Sequence, residues 1–444
     1  RTIKFNVWLQ AQANATLAGR LRRRGYATGF LGKWHVANIE NEEAARQISQ
    51  REQQESVRTE GGFDYADDVY FANPSLDAYA HNPEWMAYLA VRFMRQAAKR
   101  AAVPFFLYMA PTLPHEPLNN IAEQLAREPR AGPPDDAVAP VLSGEQRAFI
   151  TSARSLRERV SATMVRKSIL CPVGGNPANL TVCPSKKLPS LSTLIAPAPW
   201  LPMNLSVREV ALVMCGASWL DATLASVLEQ AEANAAASSA GVLTIFSSDH
   251  GPGWAGKGHP YEAGIRVPLI VRPPVQWSLE APRRLHGRVT HLDLLPTLEA
   301  LASNGEQGTP GLQTHGTSFA PTLLGTAPAT SWPTALRNST FFVEVGVSRT
   351  IVAGQWKLIT VGRPEFAAQG GCISVQGSPM QAYIDAIARG DLKPKMSLIY
   401  DGYRHHPATY CDPVQLYHLG SDPGERRNAA GSRPDVVREL GAAL

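Results

Sequence analysis

Three apolar segments of this 444-residue chain each lead into side chains that can bind an anion or transfer a proton. Segment 26–31 is followed by Lys33 and His35, segment 105–109 by His115, and segment 242–246 by Asp249 and His250. In an open α/β sheet, ligands bind beyond the carboxyl ends of the strands. The pattern therefore predicts a sheet of this kind, with one site where the three strands end.

Helical patterns alternate with these segments. Asn14 is the predicted N-cap of a helix over residues 15–24, and Gly25 is its predicted stop. A second helix is predicted to begin at Pro83, and a Ser-x-x-Glu capping box at 206–209 opens a third. Alternating helices and strands are typical of the α/β class and of a doubly wound sheet.

Composition divides the chain into regions. Residues 120–204 are rich in proline and glycine, and we interpret them as an insertion that shapes access to the site. After a proline-rich break at 327–333, short strands follow too closely for helical crossovers, at 340–345, 349–353, 355–359 and 414–419. The predicted units are therefore an α/β domain over 1–326 and a smaller antiparallel α+β subdomain over 327–444.

Bulk properties exclude several classes of protein. A hydrophobic content of 44% and a charged content of 18% fit a folded chain and exclude a disordered one. The formal charge of +5 is compatible with anionic substrates. The sequence contains no long basic run with interleaved aromatic residues, which is the pattern that would indicate nucleic-acid binding. No run of eighteen apolar residues occurs, so we predict no transmembrane segment.

The motifs occur in the order of a known family. The block Gly-Tyr-x-Thr…Gly-Lys-Trp-His at 25–35 resembles the second signature of the type I, formylglycine-dependent sulfatases. The resemblance continues at 104–115, 248–268, 290–297 and 416–425. It implies an arylsulfatase-like sulfuric ester hydrolase. It also implies an alkaline-phosphatase-like doubly wound mixed sheet with a smaller antiparallel carboxyl-terminal subdomain.

The resemblance implies catalytic roles for four residues. Lys33 contacts the sulfate and the formylglycine hydrate, and His35 is the base that restores the aldehyde. His115 binds sulfate as well. Lys257 lies on a glycine-rich segment, completes the anion clamp and stabilises the leaving oxygen.

The same resemblance implies a divalent metal held in part by Asp249 and His250. A carboxylate after a strand suits calcium, which prefers oxygen ligands. Most family members have asparagine where this chain has His250, which leaves the second ligand and the metal open.

The sequence departs from the family pattern before Lys33. The Cys-x-Pro-Ser-Arg signature, whose cysteine becomes formylglycine, and an early Asp-Asp metal pair are both absent from this sequence. We therefore expect an amino-terminally incomplete sequence with no turnover by itself. Two look-alikes, Asp67-Asp68 and Cys183-Pro184-Ser185-Lys186, are rejected because their position or spacing is wrong.

Two other functions remain open. A non-catalytic descendant could bind sulfated glycans through the cationic residues, and a phosphate-ester hydrolase could share the superfold. Aryl, steroid, lipid and carbohydrate sulfates are all compatible with the sequence, which also leaves the oligomeric state open.

Cysteines and glycosylation sequons bear on the compartment. Cys171 could pair with Cys183, and Cys372 with Cys411, whereas Cys215 lies in a helical pattern and is predicted to be a buried thiol. Sequons occur at Asn14, Asn179, Asn204 and Asn338. They favour a glycoprotein of the secretory pathway, lysosomal or extracellular.

Overall fold

The structure is a computed structural model. It describes residues 13–36, 42–71, 81–100, 103–115, 121, 125, 143–194, 206–251, 260–277, 287–303, 315–325, 340–345, 348–361 and 412–444. The strands are β1 (Ala27–Lys33), β2 (Tyr65–Tyr70), β3 (Phe105–Ala110), β4 (Leu170–Val173), β5 (Asn176–Val182), β6 (Thr244–Ser247), β7 (Leu269–Arg272), β8 (Phe341–Val345), β9 (Ser348–Ala353), β10 (Trp356–Val361) and β11 (Val414–His418). The helices are α1 (Leu17–Arg23), α2 (Glu42–Gln47), α3 (Gln50–Gly61), α4 (Pro83–Ala98), α5 (Gly144–Arg166), α6 (Leu191–Leu194), α7 (Val207–Ser238), α8 (Glu262–Ile265), α9 (Leu294–Ala302), α10 (Ala320–Leu323) and α11 (Pro434–Ala443).

A parallel sheet of order β2-β1-β3 positions the first two predicted site segments. Strand β1 lies in the centre, and six of its seven residues are buried. Gly32 pairs with Ala110 of β3, and Lys33 pairs with Tyr70 of β2. Strands β1 and β3 therefore end at one edge, as the sequence predicts, and the third strand at this edge is β2, which was not predicted.

Helices cover both faces of this sheet, as a doubly wound sheet requires. On one face, Leu31 packs in a cluster with Leu89 and Met94 of α4. On the other face, Phe30 packs in a cluster with Val57 of α3 and Ala18 of α1. Burying each such large apolar side chain contributes roughly 1.5–3 kcal/mol to folding.

The start of α1 differs from the prediction. Thr16 is its N-cap, since the hydroxyl accepts a hydrogen bond from the Gly19 N–H at 3.0 Å. The predicted cap, Asn14, is wrong because it lies inside a short 3-10 helix that precedes Thr16. The end of the helix is confirmed, with Gly25 in the left-handed conformation at a φ of 84°.

The third predicted strand has a partner that the sequence did not indicate. Strand β6 pairs antiparallel with β7, and among the described residues it has no ladder to the β2-β1-β3 sheet. The architecture therefore combines parallel and antiparallel strands. The segment after β6 is therefore not held beside Lys33 and His115 by a shared ladder of the described strands.

Helices α4, α5 and α7 are joined by a buried polar cluster. The Glu84 Oε1 atom lies 3.1 Å from the Arg157 Nε and accepts a hydrogen bond from the Trp219 indole N–H at 2.7 Å. The two charged side chains are at most 2% exposed. The Arg157 guanidinium also lies over the Trp219 ring, 5.3 Å from its centroid.

Helix α7 is long and apolar enough to cross a membrane by length and composition alone. Its most apolar 18-residue window is 44% buried, through contacts with α4 and α5 among others. The core helix of a folded domain meets the same criterion, and the contacts favour that interpretation here.

The region 120–204 contains a disulfide-linked hairpin. Strands β4 and β5 pair antiparallel, and Cys171 is bonded to Cys183, which confirms one of the two predicted pairs. The other pair, Cys372 and Cys411, lies outside the described residues. Cys215 is a buried free thiol as predicted, and burial raises its pKa to about 12.

The carboxyl-terminal strands form an antiparallel sheet of order β11-β10-β9-β8, as predicted. Helix α11 packs on this sheet through Val436 and Leu440, which contact a cluster of Ile351, Leu358 and Leu416. The subdomain boundary near residue 327 stays a prediction.

We predict that Glu84→Gln lowers the free energy of unfolding by about 3–5 kcal/mol, because it leaves the buried Arg157 cation without its counter-charge. The matched control is Glu145→Gln. Glu145 also joins α5 to α4, through Arg95 at 3.2 Å, but both side chains are more than half exposed. The control should cost about 0–1 kcal/mol. Guanidinium unfolding measures both, and equal losses would contradict the prediction.

Candidate functional site

Lys33, His35 and His115 lie at or just beyond the common edge of the parallel sheet. Lys33 is the last residue of β1, and His35 follows it by two positions. His115 follows the end of β3 by five positions. Because Gly32 and Ala110 are paired, the two chain segments leave the sheet side by side.

Gly32 lets the two chain segments run side by side because it has no side chain, and a side chain at this position would have no space. A Cβ atom built on Gly32 would lie 2.2 Å from the carbonyl oxygen of Ala110, and the φ of Gly32 is 105°. Only glycine adopts this conformation without strain. The Gly-Lys dipeptide of the sequence motif thus has a structural cause at this edge.

A backbone hydrogen bond closes the turn that carries His115. The His115 N–H donates to the Thr112 carbonyl oxygen at 2.7 Å. The Thr112 hydroxyl in turn lies 2.7 Å from the Nδ1 atom of His81, in a buried contact. His81 was not predicted to take part in the site. Its contact with Thr112 joins residues 31 positions apart in sequence, and no local pattern indicates such a contact.

Asp249 and His250 follow β6 and contact each other. The Asp249 Oδ2 atom lies 3.1 Å from the His250 Nε2, and its Oδ1 accepts the His250 backbone N–H at 2.9 Å. The His250 Nδ1 lies 2.7 Å from the Gly251 carbonyl oxygen. Both ring nitrogens thus face acceptors, so His250 must leave one of them before it can ligate a metal.

Tyr108 of the parallel sheet lies within electrostatic range of Asp249. Burial raises the pKa of Tyr108, and the nearby negative charge of Asp249 raises it further. Tyr108 belongs to β3 and stacks on Phe30 of β1 at a centroid distance of 5.6 Å. Asp249 therefore lies near the strand that leads to His115.

His291 provides a second contact at the end of β6. Its Nε2 atom lies 2.8 Å from the Ser247 hydroxyl, two residues before Asp249. The predicted site residue Lys257 lies outside the described residues.

The described residues supply only part of a metal site. Asp249 offers exposed carboxylate oxygens, the ligand type that calcium prefers. Within the described ranges, no group of three His, Cys, Asp or Glu side chains could hold a metal ion. Asp249 and His250 fit a divalent cation as two of its ligands, and the others would have to come from elsewhere.

Both rejected look-alikes have structural roles. Asp67 accepts hydrogen bonds from Arg92 and from the Tyr65 hydroxyl, each at 3.1 Å, and lies in β2. Cys183 is held in the disulfide with Cys171, so it is not an available thiol.

Asp68, the second residue of the rejected Asp67-Asp68 motif, is a buried carboxyl group whose surroundings the sequence did not indicate. It is 2% exposed, and its Oδ1 has no hydrogen-bond partner among the described residues. Burial and, second, the charge of Asp67 raise its pKa well above the ordinary range. It lines a cavity of about 10 Å³ together with Asn82 and Thr112, which is roughly the space of one water molecule.

Comparison with known proteins identifies a family for this chain. The sulfatase family model matches residues 2–304 of the chain. Human arylsulfatase A is 30% identical over 220 residues, which cover 45% of this chain and 36% of that protein. An N-acetylgalactosamine-6-O-sulfatase of Bacteroides thetaiotaomicron is 28% identical over 228 residues, covering 46% and 35%. The matched region thus spans about a third of each relative's length.

Solved structures show the same fold. A protein from a Bacteroides thetaiotaomicron locus for the metabolism of multiple glycosaminoglycans has a TM-score of 0.51 and 18% identity, with 99% of this chain and 83% of that chain covered. Ps i-CgsB in complex with k-i-k-neocarrahexaose has a TM-score of 0.52 and 17% identity, with 99% and 77% covered. At these identities the likeness concerns the fold, and it confirms the predicted alkaline-phosphatase-like α/β architecture.

We predict that Asp68→Asn alters how stability depends on pH. An unfolded Asp ionises near pH 3.9, whereas the raised pKa of Asp68 keeps the native carboxyl protonated to higher pH. Between these two pKa values the native state binds one more proton than the unfolded state. The contribution of Asp68 to the free energy of unfolding is therefore fully present below the unfolded pKa. As pH rises from there towards the native pKa, this contribution falls by about 1.4 kcal/mol per pH unit.

Guanidinium unfolding at pH 4, 5 and 6 tests this prediction, because the difference begins as pH rises past the unfolded pKa. The free energy of unfolding of the natural chain should decline relative to that of Asp68→Asn, which cannot titrate at this position. Parallel curves for the two proteins over this range would contradict the prediction.

Proposed function

Because the chain belongs to the sulfatase family, we propose that it is part of a protein that hydrolyses sulfate esters. The observation that carries this proposal is the placement of Lys33 and His115 at one edge of the parallel sheet. Family membership alone gives the reaction class, and this placement supports a binding site for the sulfate group.

The proposed roles follow from the charge that sulfuryl transfer develops. Negative charge concentrates on the oxygens around sulfur, and fixed cations in a water-poor cleft stabilise it. Lys33, His115 and Lys257 would bind the sulfate, and Lys257 would also stabilise the leaving oxygen. His35 would remove a proton as general base, as its place two residues after Lys33 allows.

We propose that Asp249 and His250 contribute to a divalent metal site, calcium being the cation that suits the carboxylate. A bound metal would withdraw charge from the sulfate oxygens. The nucleophile would be a formylglycine made from a cysteine encoded before Arg1, and the remaining metal ligands would be encoded there too. The chain described here would then be a fragment of the enzyme.

Substrate class and compartment are further parts of the proposal. Both an arylsulfatase and an N-acetylgalactosamine-6-O-sulfatase are among the relatives, which supports aryl or carbohydrate sulfates as substrates. The region 120–204 would shape access to them. The Cys171–Cys183 disulfide supports an oxidising compartment, lysosomal or extracellular.

We predict that Lys33→Ala lowers hydrolysis of a chromogenic aryl sulfate by about 100- to 1,000-fold in the protein completed with its upstream segment, as for loss of one charge-stabilising donor. The matched control is Lys99→Ala. Lys99 is an exposed C-cap of α4, before β3 begins and so at the opposite end of the sheet. The control should retain full activity.

Similar losses in the two variants would contradict the assignment of Lys33. The 444-residue chain without the upstream segment should release no chromogen, and steady turnover by it would refute the proposed nucleophile. An upstream sequence that lacks the cysteine signature would instead favour the non-catalytic glycan binder.

A further inference from the structure

A buried cluster of three charges joins the carboxyl-terminal sheet to α8. Lys357 of β10 is fully buried, and its Nζ lies 2.7 Å from the Glu425 Oε1 and 3.2 Å from the Glu262 Oε1. Glu425 is 1% exposed and sits in the left-handed region at a φ of 54°, an uncommon conformation for glutamate. The glutamates come from segments 163 residues apart.

Two hydrogen bonds run parallel to this cluster. The Glu262 backbone N–H donates to the Glu425 Oε2 at 2.6 Å. The Tyr261 hydroxyl donates to the Gln415 Oε1 at 2.8 Å, and this contact is buried. The residues just before and at the start of α8 are thus held by the carboxyl-terminal subdomain through side chains of β10, β11 and Glu425.

The same short segment holds the chain that follows His250. The Gly264 N–H donates to the Tyr261 carbonyl oxygen at 2.8 Å, and the Gly264 carbonyl oxygen accepts the Gly251 N–H at 2.8 Å. A Cβ atom at Gly251 would lie 1.7 Å from the Ala263 carbonyl oxygen. Gly251 is therefore pressed against α8, and its carbonyl oxygen is the partner of the His250 Nδ1.

Because the three charges of this cluster are shielded from water, their attraction is stronger than that of exposed ion pairs at similar distances. Burial raises the pKa of Glu425, while the adjacent Lys357 cation lowers it. Removal of one member of such a buried set leaves an uncompensated charge, which is strongly destabilising. The exposed Arg266, whose Nη1 lies 3.7 Å from Glu262, is the weaker member of the group.

We propose that Lys357, Glu425 and Gln415 are positioning residues that hold the Asp249-His250 dipeptide in place through α8. The carboxyl-terminal sheet then keeps the dipeptide in position, and we call this support the brace. None of the three residues touches a reacting atom. This inference rests on the proposed roles of Asp249 and His250.

The first test compares Tyr261→Phe with Tyr417→Phe in the full chain. Both variants remove one hydroxyl that donates to the Gln415 Oε1. The Tyr261 hydrogen bond joins the residue before α8 to the sheet, whereas the Tyr417 hydrogen bond stays within β11. Hydrogen–deuterium exchange should accelerate about five-fold at Gly251 and Gly264 in Tyr261→Phe, the effect of one lost hydrogen bond. It should stay unchanged at both amides in Tyr417→Phe. Equal rates at Gly251 in the two variants would overturn the proposal.

The second test is Lys357→Met, with Arg349→Met as the control on the neighbouring strand. Arg349 is 61% exposed in its contact with Glu344. Lys357→Met should speed exchange at Gly251 more than ten-fold and weaken calcium binding to the protein completed with its upstream segment, whereas Arg349→Met should do neither. The brace would be overturned if amides of the carboxyl-terminal sheet exchanged faster in Lys357→Met while Gly251 exchanged at the same rate as in the natural chain. If Lys357→Met does not fold, the tyrosine pair decides.

These readouts separate the brace from the proposed function. Exchange at Gly251 does not require sulfate-ester hydrolysis. Accelerated exchange in Tyr261→Phe, together with no hydrolysis by the natural protein completed with its upstream segment, would support the brace and contradict only the function. Normal hydrolysis together with unaltered exchange in Tyr261→Phe would support the function and overturn the brace.

Discussion

The parallel pairing of β1 with β2 and β3 is the constraint on which the site depends. Because Gly32 pairs with Ala110 and Lys33 with Tyr70, three separate segments leave the sheet at one edge. The close approach of Gly32 to the Ala110 carbonyl oxygen leaves no space for a side chain. The motif therefore encodes backbone geometry as well as chemistry, and a bulkier residue before Lys33 would displace the cation.

Buried ion pairs join elements that are not joined by strand pairing. Glu84 and Arg157 join helices across 73 positions, and Lys357 joins the carboxyl-terminal sheet to α8. Arg20 of α1 contacts Glu299 of α9 at 2.6 Å with both side chains buried. Each of these pairs costs desolvation, and each fixes one relative placement of its elements. They determine where site segments lie once apolar packing has formed the layers.

The sequence predicted the elements whose signals are local. Strands β1 and β3, the Ser206 capping box and the antiparallel carboxyl-terminal strands follow from patterns within about ten residues. Strand β2 was not predicted because Asp67 and Asp68 interrupt its apolar pattern, and their partners come from tertiary packing. The partner of β6 and the contacts of His81 and Lys357 were missed because they depend on residues distant in sequence. The order of the motifs gave the candidate site, whereas the residues that support it became visible only in three dimensions.

We propose that Lys33 and His115 bind one sulfate group together. A double-mutant cycle measures this most directly, with sulfate titrated calorimetrically into the natural chain, Lys33→Ala, His115→Ala and the double variant. Residues that share a ligand couple by about 0.5 kcal/mol or more, whereas distant independent sites add. We expect coupling of at least this size, whereas strictly additive losses in sulfate affinity would show that the two residues do not share a sulfate site.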